Sequence, residues 1–330
     1  MAGLTDRERA RDPGRNSARD RGQILLVAAF ALAVTFVALA VVVNSAILTG
    51  NLATRGETTG ASDALTSRHE IAGNVENVTA SVNKQNTSDL VDNVDASIGN
   101  MSDQGGLQQA RRGRVVNVSL DDSSPRVRAR STNNATAAFT NASGAHDWTL
   151  VTDGDRILDA EFNVSDANAS DEADAFHLFV NESGGPGHWE LAVFENATAT
   201  DTYNLTVRDG STFLAACEPE ASADFTINLT AGFVSDDTGT VCTNALDDAN
   251  RTYTGFGGKD VAFGEANNLT GNYTVTVERD GATPGVDTGN YNETSPTVAV
   301  WIERLQVEYT YESPSVRYET EITVRPGESG

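Results

Sequence analysis

Between Ile24 and Val43 the chain presents 20 consecutive positions of which only Thr35 is polar. As a helix this run is about 30 Å long, one hydrocarbon thickness, so it predicts a membrane-crossing helix rather than the core helix of a soluble domain. The apolar region of a cleaved signal peptide is usually about 7 to 15 residues, and the small-x-small exits here are poor, so the segment is expected to stay on the protein.

After the span the period remains helical. Ile71, Val75, Val78 and Val82 recur at helical steps, as do Val91, Val94, Ile98 and Met101. Asn86-Thr87-Ser88-Asp89 interrupts the two stripes and offers an N-cap for the second, which predicts two helices. Gly105-Gly106 is expected to end the second. Stripes this narrow suit the packing face of a helix pair, with an oligomer-forming coiled coil as the alternative.

From Val115 the period switches to two, with Val116, Val118 and Leu120 on one face. Short β-branched and aromatic runs follow at 175–180, 189–194, 203–207, 225–229 and 273–277, separated by turns such as Arg208-Asp209-Gly210-Ser211 and Arg279-Asp280-Gly281. Near the end Val298, Val300 and Ile302 alternate, then Leu305, Val307, Tyr309 and Tyr311, then Val316 to Val324 beyond a turn at Glu312-Ser313-Pro314-Ser315. These runs predict an all-β, sandwich-like domain closed by a terminal hairpin.

Charge settles orientation and surroundings. Six arginines against four acids precede the span, whereas the rest of the chain is strongly acidic, so the positive-inside rule puts the N-terminus in the cytoplasm and the β domain outside the cell. Overall 47 acidic residues face 23 basic ones, with Lys84 and Lys259 the only lysines. A net charge of −24 excludes nucleic acid as a partner and suits molar salt, where the Debye length is about 3 Å. Arg111, Arg112 and Arg114 form the one basic cluster beyond the span, read as charge at a helix C-terminus or as a contact for anionic lipid headgroups.

Arg21-Gly22-Gln23-Ile24 before the apolar run resembles archaeal type IV pilin-like precursors. That resemblance implies leader cleavage between Gly22 and Gln23, with the apolar helix kept on the mature chain. The sequence departs from the bacterial pilin pattern at Val27, where a glutamate would stand. The stretch from Arg21 to about Ser165, including Asn44-Ser45-Ala46-Ile47 and Phe139-Thr140-Asn141-Ala142-Ser143-Gly144, looks like haloarchaeal membrane-anchored proteins associated with pilus or secretion genes. It implies an envelope role and supplies no active residues. The domain division is then 1–23 as an Arg-rich cytoplasmic leader, 24–48 as the transmembrane, pilin-like helix, 49–110 as juxtamembrane helices and 111–330 as the extracellular β-rich domain.

Cys217 and Cys242, the only cysteines, flank the strand around Phe225 and read as a disulfide in an exported domain, two free thiols being the alternative. Asn-x-Ser/Thr begins at Asn77, Asn86, Asn100, Asn117, Asn134, Asn141, Asn163, Asn168, Asn181, Asn196, Asn204, Asn228, Asn250, Asn268, Asn272 and Asn292. That is 16 of 26 asparagines, against roughly 5 from the Ser and Thr content, and none precedes or lies within the span. The excess predicts surface N-glycosylation, unless an Asn- and Thr-rich strand composition alone inflates it.

Catalytic chemistry leaves no trace in the pattern. His69, His146, His177 and His188 form no metal pair along the chain. The run 254–259 is superficially like a phosphate loop, but Tyr253 stands where its first Gly belongs and Asp260 where Ser or Thr belongs. Asp166, Asn168 and Ser170 have calcium-loop spacing, yet Asp171 and His177 replace the Gly and Glu that such a loop needs. No enzyme, cofactor or metal is expected. The sequence points to an envelope structural component of pilin-like type, whose partners are the bilayer and pilus or secretion components or like subunits. The alternative is an independently anchored binding or adhesion module.

Overall fold

In a computed structural model the described residues are 14–85, 89–182, 188–198, 202–220, 224–236, 239–242 and 259–326. The chain divides into two compact units, 1–63 and 64–330. Helix α1 (Gly14–Asn83) begins in the first unit. Its segment Leu25–Ile47 is 23 residues long with mean hydropathy 2.9, and none of that segment is buried within the protein. The polar hydroxyl of Thr35 donates to the Ala31 carbonyl at 2.8 Å, so the helix satisfies it internally, as a hydrocarbon environment requires.

The second unit contains the end of α1, helix α2 (Leu90–Ala110) and the β domain. Its strands, in chain order, are β1 (Val115–Leu120), β2 (Arg126–Ala138), β3 (Trp148–Gly154), β4 (Arg156–Ala167), β5 (Phe176–Glu182), β6 (His188–Glu195), β7 (Tyr203–Asp209) and β8 (Thr212–Cys217). They continue as β9 (Phe225–Asn228), β10 (Phe233–Asp236), β11 (Gly239–Cys242), β12 (Lys259–Gly264), β13 (Leu269–Asp280), β14 (Thr297–Ser313) and β15 (Val316–Val324). The strands form two sheets. One has the order β1-β14-β2-β13-β4-β9-β10-β11, with β15 added on β14, and the other β3-β12-β5-β6-β7-β8. Every pairing between these strands is antiparallel.

Rings from both sheets meet in the sandwich core. Phe162 and Tyr273 from the larger sheet and Phe176 and Phe263 from the smaller gather around Phe139, with centroids 5.1 to 6.2 Å apart. Edge-to-face contacts predominate, the arrangement that aromatic quadrupoles favour. Trp148 extends the cluster and donates its indole N–H to the Phe139 carbonyl at 2.9 Å, so its one polar atom is satisfied.

Val75, Val82, Leu90, Val94 and Ile98 are buried, and they join one core with Val116, Val118, Leu120, Val307, Tyr309 and Tyr311 of β1 and β14. The helical stripes therefore pack against a sheet, where a helix pair was the expectation. The Tyr309 hydroxyl donates to the Ala64 carbonyl at 3.3 Å, and Ser102 Oγ accepts the Val118 N–H at 2.9 Å.

Gly105-Gly106 does not end α2, which continues to Ala110. A Cβ on Gly106 would stand 3.3 Å from the Val116 carbonyl oxygen, so this glycine serves close approach of helix and strand, not termination. The two alternating runs 298–302 and 305–311 form a single strand, β14. Its register on β2 shifts between Ile302 and Arg304, and such a bulge explains why inward residues change from even to odd numbers.

Candidate functional site

The outward faces of the sandwich carry most of the chemistry. On β13, Tyr273, Val275 and Val277 are buried, while Asn272 and Thr274 lie on the opposite, half-buried face. On β7 the same alternation buries Tyr203, Leu205 and Val207 and turns Asn204 and Thr206 outward. On β9 it buries Phe225 and Ile227 and leaves Thr226 and Asn228 outward. These sequon asparagines share the polar side of their strands because side chains alternate with period two.

Three sequons converge on adjacent strands of the larger sheet. Asn163 of β4 stands directly opposite Asn272 of β13 and, on its other side, opposite Thr226 of β9. Asn163 Nδ2 donates to Asn272 Oδ1 at 3.0 Å, and Thr226 Oγ1 donates to Asn163 Oδ1 at 2.7 Å. Asn228, next in β9, donates to Glu161 at 3.1 Å. Among the other sequons Asn77, Asn100, Asn117, Asn168 and Asn292 are exposed, Asn181, Asn196 and Asn268 are half-buried, and Asn141 is buried. Asn141 is held by Ser143, Ala145 and Asn290. Asn86, Asn250 and the Asn134 side chain lie outside the described residues, as does run 254–258.

Beside the sequon patch is an ion network. Arg126, Arg128 and Arg130 alternate along β2 and face outward, the period-two signature of Arg-Val-Arg-Ala-Arg. Arg128 binds the nearly enclosed Glu278 carboxylate at 2.9 Å and Glu303 at 3.2 Å. Arg156 also bonds Glu278, Arg126 pairs with Asp280 at 3.2 Å, and Arg130 covers the Trp301 ring at 5.4 Å. Arg126, Arg128 and Arg156 are thus paired with carboxylates in place, whereas Arg130 rests on a ring and donates to the Thr276 hydroxyl at 3.3 Å. Burial, then the neighbouring Glu161 charge, raises the Asp159 carboxyl above its ordinary pKa, with Arg130 opposing.

On the smaller sheet Glu172 accepts two bonds from Arg208, at 2.7 and 2.9 Å, and one from the Thr206 hydroxyl at 2.8 Å. The Arg208 hydrogen bonds hold its carboxyl below the ordinary value. Asp171 caps its own turn through the Ala173 and Asp174 N–H groups. Two of the carboxylates near the calcium-like spacing are thus engaged within the protein. His177 pairs with Glu190 at 2.6 Å and stacks on Phe179.

Cys217 and Cys242 sit with disulfide geometry, Cα atoms 6.2 Å apart. Cys217 ends β8 and Cys242 ends β11, the last strands of the two sheets, so the pair clasps one sheet to the other. Gly22 and Gln23 fall within α1, and their side chains lie outside the described ones.

His146, Asp147 and Glu265 offer ligand atoms within 4.8 Å of one another, a set able to hold a divalent cation. Pairing of β3 with β12 joins these loops, and the Glu265 N–H donates to Asp147 Oδ1 at 3.1 Å. Nothing along the chain signals this grouping, because Glu265 is 118 residues from Asp147.

Residues 18–143 match a family model. It is described as Family of unknown function (DUF7261). The matched segment takes in most of α1, all of α2, β1 and β2, and the loop through Asn141, and stops before the smaller sheet begins at β3. No curated protein matches the chain at a significant level.

Proposed function

We propose that this chain is a membrane-anchored structural protein of the cell envelope, a pilin-like or minor pilus- or secretion-associated component. Its N-terminus lies in the cytoplasm, and its acidic, glycosylated β domain lies outside. The observation that carries the reading is the fully exposed apolar segment Leu25–Ile47, in a helix whose later residues Val75 and Val82 are buried in the core of a β domain. One end of such a chain can pack among lipids or like helices while the other presents a surface. The chain's net charge of −24 supports a high-salt exterior for that surface, since screening there removes most of the self-repulsion.

The mature N-terminus tests the assembly reading. Mass spectrometry of the native protein is expected to find a chain beginning at Gln23. A chain beginning at Met1 or Ala2 rejects the pilin-like route and favours an independently anchored binding module. Membrane anchoring is tested separately, since full-length protein in a salt-washed soluble fraction would refute it.

A further inference from the structure

The facing sequons of β4 and β13 are not equivalent. Asn163 and Asn272 occupy the same register position, with Cβ atoms at the roughly 5 Å spacing of a cross-strand pair. Their contact has a direction, because Asn163 enters it through its nitrogen and Asn272 through its oxygen, 3.0 Å apart. The Asn163 oxygen is engaged from the other side by the Thr226 hydroxyl at 2.7 Å. Asn163 is therefore held at both ends of its amide, between two neighbouring strands.

Resting on the glycosylated-surface reading above, we infer that the folded sheet selects between these two sequons: Asn272 carries the sugar and Asn163 stays bare, its amide serving as the donor that fixes Asn272. In the transfer the Nδ2–H bond breaks and an Nδ2–C1 bond forms. The C1–O bond to a phosphate-linked sugar carrier breaks, the carrier leaves with the electron pair, and the proton passes to solvent. At Asn163 the reacting nitrogen must first leave Asn272 and swing out from between β13 and β9. At Asn272 the reaction leaves the oxygen in place to accept from Asn163. Two sugars on amides this close would also crowd each other, so modification at one disfavours the other.

A second pair repeats the arrangement more loosely. Asn196 Oδ1 accepts from the Thr198 N–H at 3.0 Å and hydroxyl at 2.8 Å, which turns its Nδ2 toward Asn204 Oδ1 at 3.5 Å. The same rule gives Asn204 as the sugar-bearing member, with a smaller bias.

Glycopeptide mass spectrometry of the native full chain measures occupancy at each site. Asn272 is expected to exceed Asn163 by about fivefold or more, the bias that one net hydrogen bond supplies. The two occupancies should sum to no more than one. A sum above one requires doubly modified molecules and overturns the inference, as does equal occupancy, which means that sugar is added before the sheet forms.

Two variants separate the hydrogen bond from crowding. Thr274→Ala destroys the sequon at Asn272 but keeps its side chain, so Asn163 should stay bare. Asn272→Ala removes the acceptor as well, so Asn163 should become modified. Modification of Asn163 in Thr274→Ala overturns the directional argument. Bare asparagine at every sequon would instead refute the glycosylated-surface reading itself.

Discussion

Asn83 and Ile302 are joined by two hydrogen bonds. Asn83 Nδ2 donates to the Ile302 carbonyl at 3.0 Å and its Oδ1 accepts the Ile302 N–H at 2.8 Å. The last residue of α1 thereby supplies β14 with the pair of bonds that a neighbouring strand would give, at the position where the register on β2 shifts. Backbone groups removed from water need such partners, and a bulged strand loses them first.

Asn83→Ala is therefore expected to cost about 1 to 3 kcal/mol, because it strands two part-buried backbone groups at once. Asn83→Asp keeps an acceptor for the Ile302 N–H and loses only the donor, so it should fall between Ala and wild type. Urea unfolding of the full chain in detergent, followed by circular dichroism, measures this. An Ala variant indistinguishable from wild type would remove the contact from the list of structural determinants.

Gly105 and Gly106 are neighbours with opposite roles. Nothing lies within 4 Å of a Cβ built on Gly105, whereas one on Gly106 meets the Val116 carbonyl at 3.3 Å. Gly105→Ala should stabilise α2 by roughly 0.5 to 1 kcal/mol through helix propensity. Gly106→Val should destabilise, since it adds bulk against β1 and a β-branched residue within a helix. Melting temperatures moving in the same direction for both variants would contradict this assignment.

How far the sequence carried the fold depends on what each element buries. Val116, Val118 and Leu120 announce β1 because one face is wholly apolar and the other is not. Strand β2 was not legible, since its inward row runs Val127, Ala129, Ser131 and Asn133, all buried, and the apolar signal fades into hydrogen-bonded polar groups. In one dimension Gly106 looks like a terminator, because a glycine that permits close approach has the same signature. The outward placement of Asn204, Asn228 and Asn272 was legible from period two alone, but the pairing of Asn163 with Asn272 depends on register, which hydrophobic pattern fixes only to within the choice of partner strands.

The clasp between Cys217 and Cys242 closes a loop of sequence separation 25. The chain-entropy model gives about 3.5 kcal/mol for such a loop. Cys217→Ser with Cys242→Ser is expected to lower stability by about 2 to 4 kcal/mol, and reductant should have a like effect on wild type and none on the double variant. Unfolding in the presence and absence of reductant tests this, and unchanged wild-type stability on reduction would mean that the bond constrains nothing.

Glu172 and Asp159 should respond to pH with opposite signs. Arg208 holds the Glu172 carboxyl below its ordinary 4.5, so its contribution to stability is complete above that value and is lost as pH falls through the lowered native pKa. Burial and Glu161 raise Asp159 above its ordinary 3.8, so the folded state favours the protonated form, and the advantage is lost as pH rises through the raised native pKa. At neutral pH Glu172→Gln should therefore lower the melting temperature and Asp159→Asn should raise it. Once pH has fallen below the native pKa of each carboxyl, that group is protonated in wild type, its variant removes only a neutral group, and its difference should shrink toward zero. Salt separates the two further: the part of the Asp159 effect that comes from Glu161 weakens as the Debye length contracts, while the burial part does not. Melting curves of the three proteins from pH 3 to 7, in dilute and in molar salt, decide the matter. A destabilised Asp159→Asn at neutral pH would show that Arg130, not burial, governs that carboxylate.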